Sequence, residues 1–292
     1  MGNLYVVATP IGNLQDISFR ALETLKAVDF ILCEDTRHSL KLLNFYDIKK
    51  PLYAYHKFNE ESKALSYLEA IKKGKNAALI TDAGTPCISD PGSIIVNKAW
   101  QQGIKVIGVG GISALTTALS ISGFDLKHFI FYGFFPRENK DKKELLSFIK
   151  QNAVDTFVFY ESPKRISASL RYLYENLGNL KISLFSDLTK IHEQAYVGTL
   201  EEVLEKLEAN PKKELGEYTF IIRKDFILKD ESDFKLSLEA QLVELCVTKN
   251  ITLKEAVNLL ASILSSDRQV SKKDIYNASL NLKKLVNFKS KL

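Results

Sequence analysis

A chain of 292 residues, 46% hydrophobic and 26% charged, can bury two packed lobes and a small extra module, and it has a globular rather than a disordered or fibrous profile. Its 40 Lys and Arg against 35 Asp and Glu give a net charge of +5, which permits a polyanionic partner without demanding one. Cys33, Cys87 and Cys246 are odd in number and at no CxxC spacing, so neither a disulfide framework nor a cysteine zinc site is expected.

The opening MGNLYVVATPIG reads as a short strand closed by Pro and Gly, not as a secretion signal. No apolar run approaches the roughly 18 residues that span a membrane, and the expected compartment is the cytoplasm. Buried strands then alternate with helices. LYVVAT (4–9), FILCED (30–35), AALITD (77–82) and KVIGVG (105–110) are short apolar runs bounded by turn residues. Between and after them, helices are predicted over 19–27, 60–73, 94–102 and 113–122, the last stopped by Gly123. This βαβ alternation predicts an α/β fold with a mainly parallel sheet covered on both faces.

A second, more aromatic set of strands follows: FIFYGFF (129–135), TFVFYES (156–162), KISLFSD (181–187) and EYTFIIR (217–223), with helices at 140–150 and 166–176. PRENKDKK (136–143) is the expected surface connection near the lobe boundary. The expected division is a first lobe at 1–124 and a second at 125–228. After 229–233 the strands stop, and 236–292 reads as a helical module with helices at 237–248, 252–264 and 271–284. Thr252 with Glu255 and Ser271 with Asp274 give two of these helices capping-box starts. The module carries eight Lys and one Arg against five acids, which fits either a solvated appendage or a nucleic-acid-binding unit.

Ligands of open α/β sheets bind beyond the carboxyl ends of the strands. ATPIGN (8–13), EDTRH (34–38), TDAGTPCISDPG (81–92) and GVGGISA (108–114) stand there. Asp82 follows a buried strand, and Gly84, Pro86, Pro91 and Gly92 stiffen the path, so backbone N–H and C=O groups are held at fixed angles, as recognition of a nucleoside or amino-acid moiety requires. Ser89–Gly92 is read as shaping the loop and starting the next helix. GVGGIS superficially matches a dinucleotide fingerprint but lacks the acid about 20 residues on, so it is read as a helix start facing a ligand and a nicotinamide dehydrogenase ranks last. Arg37 in EDTRH suits a phosphate. YESPKR (160–165) and SDLTKIHE (186–193) put further acids and bases at the second lobe's strand ends. His38, His56, His128 and His192 are scattered, and no metal site is expected.

Taken in order, LYVVATPIGNLQD, EDTRHSLKLL, ITDAGTPCISDPG, TTALSISG, FYGFFPR, FYESPKR and LTKIHE resemble the ribosomal RNA methyltransferases of the tetrapyrrole methylase superfamily. The resemblance runs from Leu4 to about Lys224, and the helical tail looks like the small C-terminal module of many members. It implies two lobes of the tetrapyrrole-methylase type with S-adenosyl-L-methionine between them, a homodimer, and methylation of the ribose 2′-oxygen of a cytidine in the decoding region of 16S rRNA, presented free or in the small ribosomal subunit. By the same resemblance the cofactor contacts are Pro10 or Ile11, Asp82, Ala83, Gly84 and Thr85, Ser113 and Ala114, Tyr160 or Glu161, and Leu188. Relatives often have Pro-Gly-Pro-Ser-Ala where this chain has Gly110-Gly111-Ile112-Ser113-Ala114, so two stiffening prolines are missing from that loop. The general-base candidates are Asp35, Glu161 and Glu193, with Lys190 able to stabilise developing negative charge; Arg37, Lys164 and Arg165 are the candidates for RNA phosphates. A tetrapyrrole substrate and a non-enzymatic RNA-binding protein are the alternatives; binding of S-adenosylmethionine separates the latter.

Overall fold

The computed structural model describes residues 1–224, 237–249, 251–263 and 271–289. Contacts divide the chain into two compact units, Met1–Asp225 and Phe226–Leu292. The first holds two five-stranded sheets.

The first sheet is built from β1 (Asn3–Val7), β2 (Phe30–Cys33), β3 (Leu52–Ala54), β4 (Ala77–Leu79) and β5 (Lys105–Val109), all parallel in the order β3-β2-β4-β1-β5. Its strands are apolar on both sides because both faces are covered. Leu4, Phe30, Leu32, Ala77 and Leu79 pack with α3 (Glu60–Lys72) and α4 (Ser93–Gln101), whereas Val7, Ile31, Cys33 and Ala78 pack with α1 (Phe19–Ala27) and α2 (Thr36–Phe45). The strand expected over 77–82 leaves the ladder after Leu79, though Ile80 N–H still donates to Leu32 O at 2.9 Å. The short β3 and the polar-faced α2 had no signal strong enough to be placed from sequence.

The helix α5 (Ala114–Ile121) follows the first sheet in sequence but packs on the second, its Ala118 and Leu119 meeting Val158, Phe185 and Ile221. The second sheet comprises β6 (Ile130–Phe134), β7 (Thr156–Glu161), β8 (Lys181–Ser186), β9 (Gln194–Thr199) and β10 (Tyr218–Arg223), in the order β6-β7-β10-β8-β9. Only β6 and β7 run parallel; the other pairs are antiparallel. The turn at 187–193 sends β9 straight back along β8 without a crossover helix, which forces the antiparallel pairing. The opposite face packs under α6 (Asn139–Gln151), α7 (Ile166–Leu177) and α8 (Leu200–Glu208), around Phe157, Phe159 and Phe220. The connection expected over 136–143 is shorter than read, since α6 already starts at Asn139.

The second unit contains α9 (Leu238–Lys249), α10 (Leu253–Ile263) and α11 (Lys272–Lys289), closed around Leu242, Ala256, Leu260, Ile275 and Ala278. Thr252 and Glu255 exchange hydrogen bonds of 2.8 and 3.4 Å, and Ser271 and Asp274 of 3.0 and 3.3 Å, the reciprocal pattern of capping boxes. The linker read at 229–233, the second lobe's end at 228, the module's start at 236 and the helix end at Leu264 lie outside the described residues.

Candidate functional site

The connections from β1 and β4 leave neighbouring strands for opposite faces of the sheet, to α1 and α4, and so open a crevice at their carboxyl ends. The two loops are tied together there. Thr9 N–H donates to Gly84 O at 2.8 Å, Gly84 N–H donates back to Thr9 O at 3.1 Å, and the Thr9 hydroxyl donates to Thr81 O at 3.0 Å. Beyond this clasp the loop turns sharply, with Cys87 and Ser89 in left-handed conformations at φ 69° and 65°, a backbone cost that clusters at functional sites. Gly92 ends it at φ 130°, where a Cβ would lie 2.6 Å from Leu79 Cδ2 and 2.7 Å from Cys87 Sγ. Only glycine fits. The buried Glu60 accepts from Gly92 N–H at 2.8 Å and anchors the turn from behind.

Facing this loop is an edge of the second sheet, and a cavity of about 350 Å³ lies between them. Ile11, Asp82–Thr85, Ile88, Ser89 and Asp90 form one side with Ser113 and Ala114 at the start of α5; Phe134, Tyr160–Pro163 and Glu217–Thr219 form the other. Antiparallel pairing explains the last group. Tyr218 at the start of β10 lies opposite Glu161 and Ser186, the final residues of β7 and β8, so a strand beginning joins two strand ends at one edge. The Tyr160 hydroxyl reaches across to Ser113 and to the backbone of Leu115.

Among the described residues, no Lys, Arg or His stands in the cavity wall. Burial pushes the Asp90 carboxyl up to about 6, with Glu34 and Asp82 adding repulsion against a hydrogen bond to Thr81 that works the other way. Burial and Asp82 also raise Glu34. Neither Asp82 nor Asp90 has an ion-pair partner among the described residues. This wall is short of positive charge, which a cationic ligand would supply.

Residues 3–204 match the family Tetrapyrrole (Corrin/Porphyrin) Methylases. The chain belongs to that family. It is 40% identical over 281 residues to the ribosomal RNA small subunit methyltransferase I of Bacillus subtilis (strain 168), covering 95% of this chain and 94% of that one. The enzyme of that name from Thermotoga maritima is 44% identical over 222 residues, covering 76% of this chain and 98% of the relative. Among solved structures, diphthine synthase superposes with a TM-score of 0.58 at 16% identity, covering 76% of this chain and 90% of that one. Uroporphyrin-III-C-methyltransferase from Thermus thermophilus gives 0.51 at 18%, covering 77% and 95%. At such identities the likeness speaks for the methylase fold alone.

Against this methylase framework the residues singled out by sequence divide cleanly. Ile11, Asp82, Ala83, Gly84, Thr85, Ser113, Ala114, Tyr160 and Glu161 come together on the cavity wall. Pro10 is buried beside it, and Leu188 sits with Ile11 and Phe185 in the core between the sheets rather than on the wall. Asp35 lies outside: it caps α2, accepting from Arg37 N–H at 2.8 Å, and grips the Arg37 guanidinium at 2.8 and 3.2 Å. These bonds hold its carboxyl well below the usual range, where it is a poor proton acceptor. Its own N–H donates to Asp82 Oδ1 at 3.2 Å and so orients a wall residue.

Glu161 reaches the wall but its oxygens are engaged: Oε1 accepts from Ser162 N–H at 2.7 Å and meets Arg165 Nη2 at 2.5 Å, and Oε2 accepts from the Ser169 hydroxyl at 2.6 Å. Arg165 donates as well to Phe135 O at 3.1 Å, so it is occupied in holding the turn. Lys164 is exposed. Lys190 bridges Asp187 at 2.8 Å and Glu217 at 2.9 Å; burial works against its charge, but these bonds hold it above its ordinary value. Glu193 is exposed and accepts from Thr189 N–H at 2.6 Å.

Sequence reading missed Ile88, Phe134, Ser162, Pro163 and Glu217–Thr219, and it gave Ser89 and Asp90 to loop shaping. Gly92 does start α4, but Ser89 and Asp90 face the cavity. The available signal was an Asp two residues before an obligatory glycine, held in a loop too short to turn its side chain away.

Proposed function

We propose that the protein is an S-adenosylmethionine-dependent methyltransferase that modifies the ribose 2′-oxygen of a cytidine in the decoding region of 16S rRNA, acting on the rRNA or the small ribosomal subunit. Asp82 and Asp90, without an ion-pair partner or a basic wall residue among the described residues, carry the cofactor reading. S-adenosylmethionine bears a sulfonium and an ammonium, the charge this wall lacks, and the donor set fits it. Asp82, the backbone of Ala83 and Gly84, Thr85, Ile11, Ser113, Ala114 and Tyr160 would hold the cofactor, with Asp90 supplying negative charge. When bound, the group supplies an activated methyl whose leaving group is already good. The RNA reading is supported by the names of relatives that match nearly the full chain.

The protein's own contribution is alignment, because holding acceptor and donor in line removes most of the entropy cost of transfer. We assign Glu161 and Lys190 to this alignment, since through Arg165 and Glu217 they fix the two turns that border the cavity. Asp35 positions Asp82, and Glu193 braces the 187–193 turn. Arg37 and Lys164 are exposed, which suits contact with phosphates, and the basic helical unit adds charge for the same RNA. Exposed Leu65 on α3 and Trp100 on α4 leave apolar surface for a second copy, so light scattering should give twice the chain mass; a monomer at micromolar concentration would refute the dimer. The described helices include none able to cross a membrane, and we place the enzyme in the cytoplasm with its substrate.

The decisive test is to map ribose methylation on 16S rRNA from a deletion strain and its complement. One cytidine losing and regaining its methyl is expected. An unchanged map together with no heat of S-adenosylmethionine binding would defeat the reading.

A further inference from the structure

Phe134, the last residue of β6, and Phe135, which follows it, go to opposite places, and the reason is a fault in the strand. Ile130 and Phe131 pair with Phe157 and Val158, but the next partner of β7, Phe159, faces Gly133 rather than Tyr132. One residue is extra. Gly133 takes it up at φ 88°, a bulge of the kind that re-aims side chains beside active sites. In an unbroken strand Tyr132 and Phe134 would share a face. Here Tyr132 and Phe135 share one instead, both against Phe159 with ring centroids 5.8 and 5.7 Å away, while Phe131 and Phe134 share the other, both against Tyr160 at 4.9 and 5.6 Å. The bulge thus sends Phe135 into the core, 1% exposed, and turns Phe134 to the cavity mouth, 56% exposed.

A large apolar ring kept half in water at the rim of a cavity is unexplained by folding. Without the bulge it would share the face of Tyr132, which packs on Phe159. Its orientation is nonetheless fixed: Tyr160 meets it at 67° and is itself braced by Phe131 on one side and Ser113 beyond its hydroxyl. Across the mouth stand the exposed Ile88 and Ser89, with the Ser89 hydroxyl 3.5 Å from where a Gly133 Cβ would be. The geometry is that of a slot with one rigid aromatic wall.

We propose that Phe134 is the platform on which the base of the acceptor nucleotide stacks, making it a positioning residue for the RNA rather than for the cofactor. This rests on the RNA ribose reading above. The base and the 2′-oxygen are carried by adjacent ribose carbons, so a hydroxyl presented at the cavity brings its base to the rim, within reach of the first aromatic face there. Single-stranded or flipped-out bases are held in this way, because every base has a π-face.

The test uses the full chain, radiolabelled S-adenosylmethionine, and small ribosomal subunits from a strain lacking the enzyme. Phe134→Ala should lower kcat/KM for the subunits by about 10- to 100-fold, the range expected for loss of one base–aromatic stack. Its affinity for S-adenosylmethionine by calorimetry should stay within about two-fold of wild type, because a ring reserved for the base gives the cofactor no stacking partner to lose. Phe134→Trp should keep most of the activity and Phe134→Leu, which keeps bulk without a π-face, should not. Both retain a large apolar side chain, so they decide the matter even if the alanine variant folds poorly. Equal loss of cofactor affinity and transfer in Phe134→Ala, or full activity in Phe134→Leu, overturns the platform. A wild-type protein that binds the cofactor but methylates no subunits overturns the substrate reading, and the platform with it.

Discussion

Among the described residues, Asp82 and Asp90, beyond the first sheet, face the cavity with no basic side chain in its wall, whereas Glu161 and Glu217, at the edge of the second, are each matched to a cation. Glu161 is wholly enclosed with Arg165 at 2.5 Å, and Glu217 meets Lys190 at 2.9 Å. The residue type is the same and so is the cavity. An acid that is paired and hydrogen-bonded within the chain holds backbone in place; an acid left without a cation, as Asp90 is with its carboxyl raised by burial, is open to a ligand that brings the missing charge. Position at a strand end does not separate these roles. Pairing does.

The largest effect should come from breaking a matched pair. Glu161→Ala leaves the Arg165 guanidinium under Phe135 O without its carboxylate, and removing one partner of a buried pair costs about 3–5 kcal/mol. A drop in Tm on the order of 6–20 °C is expected, with cofactor binding lost only because the turn loosens. Glu161→Gln, whose amide oxygen can still accept from Ser162 N–H while its NH2 donates to the Ser169 hydroxyl, should recover much of it. A variant that melted like wild type yet had lost turnover would make Glu161 catalytic and erase the contrast.

An unmatched acid should behave in the opposite sense. Asp90→Asn is expected to weaken S-adenosylmethionine binding by about 10- to 100-fold, the worth of a hydrogen bond to a charged group, while raising Tm by a few degrees at neutral pH. The sign follows from linkage. The Asp90 carboxyl is at about 6 in the folded chain against 3.8 ordinarily, so its contribution to stability is fully present below about 3.8 and is lost as pH rises through 6. Removing the charge restores that stability at neutral pH. A fall in both stability and affinity would instead place Asp90 with the paired acids.

The same carboxyl gives a milder test in the unmodified protein. Protonation below pH 6 removes the charge that meets the ligand, so S-adenosylmethionine affinity should fall by roughly ten-fold between pH 7 and pH 5, and Asp90→Asn should flatten the profile. A wild-type profile already flat over that span would mean that Asp90 does not face the cation.

How much of this was legible beforehand depended on the kind of signal. The buried parallel strands and the stiff TDAGT turn are written locally, in apolar runs, glycines and prolines, and they point to the edge of the first sheet that borders the cavity. The second sheet's contribution is not local. Glu217–Thr219 open a strand, and nothing in EYTF says that it will run antiparallel and lay its beginning beside the ends of β7 and β8. Phe134 is hidden in the same way, since FIFYGFF reads as plain alternation until the extra residue at the bulge is counted against β7. For Arg165 and Asp35 the hidden part is the partner: a charge at a strand end looks available until the group four or two residues away is seen to pair with it.

Asp35 sharpens the contrast, because it sits in the first lobe with the unmatched acids but is paired like those of the second. Its partner Arg37 is 89% exposed, and exposed pairs contribute about 0–1 kcal/mol. Arg37→Ala should therefore leave Tm and cofactor affinity nearly unchanged, since Asp35 keeps its bonds to backbone N–H groups at the start of α2. If Arg37 also meets an RNA phosphate, the variant should bind small ribosomal subunits more weakly and lower the slope of log affinity against log salt by about one. An unchanged slope would confine Arg37 to holding Asp35, and would show that an exposed cation beside a cavity is no better a guide to substrate contact than an acid at a strand end.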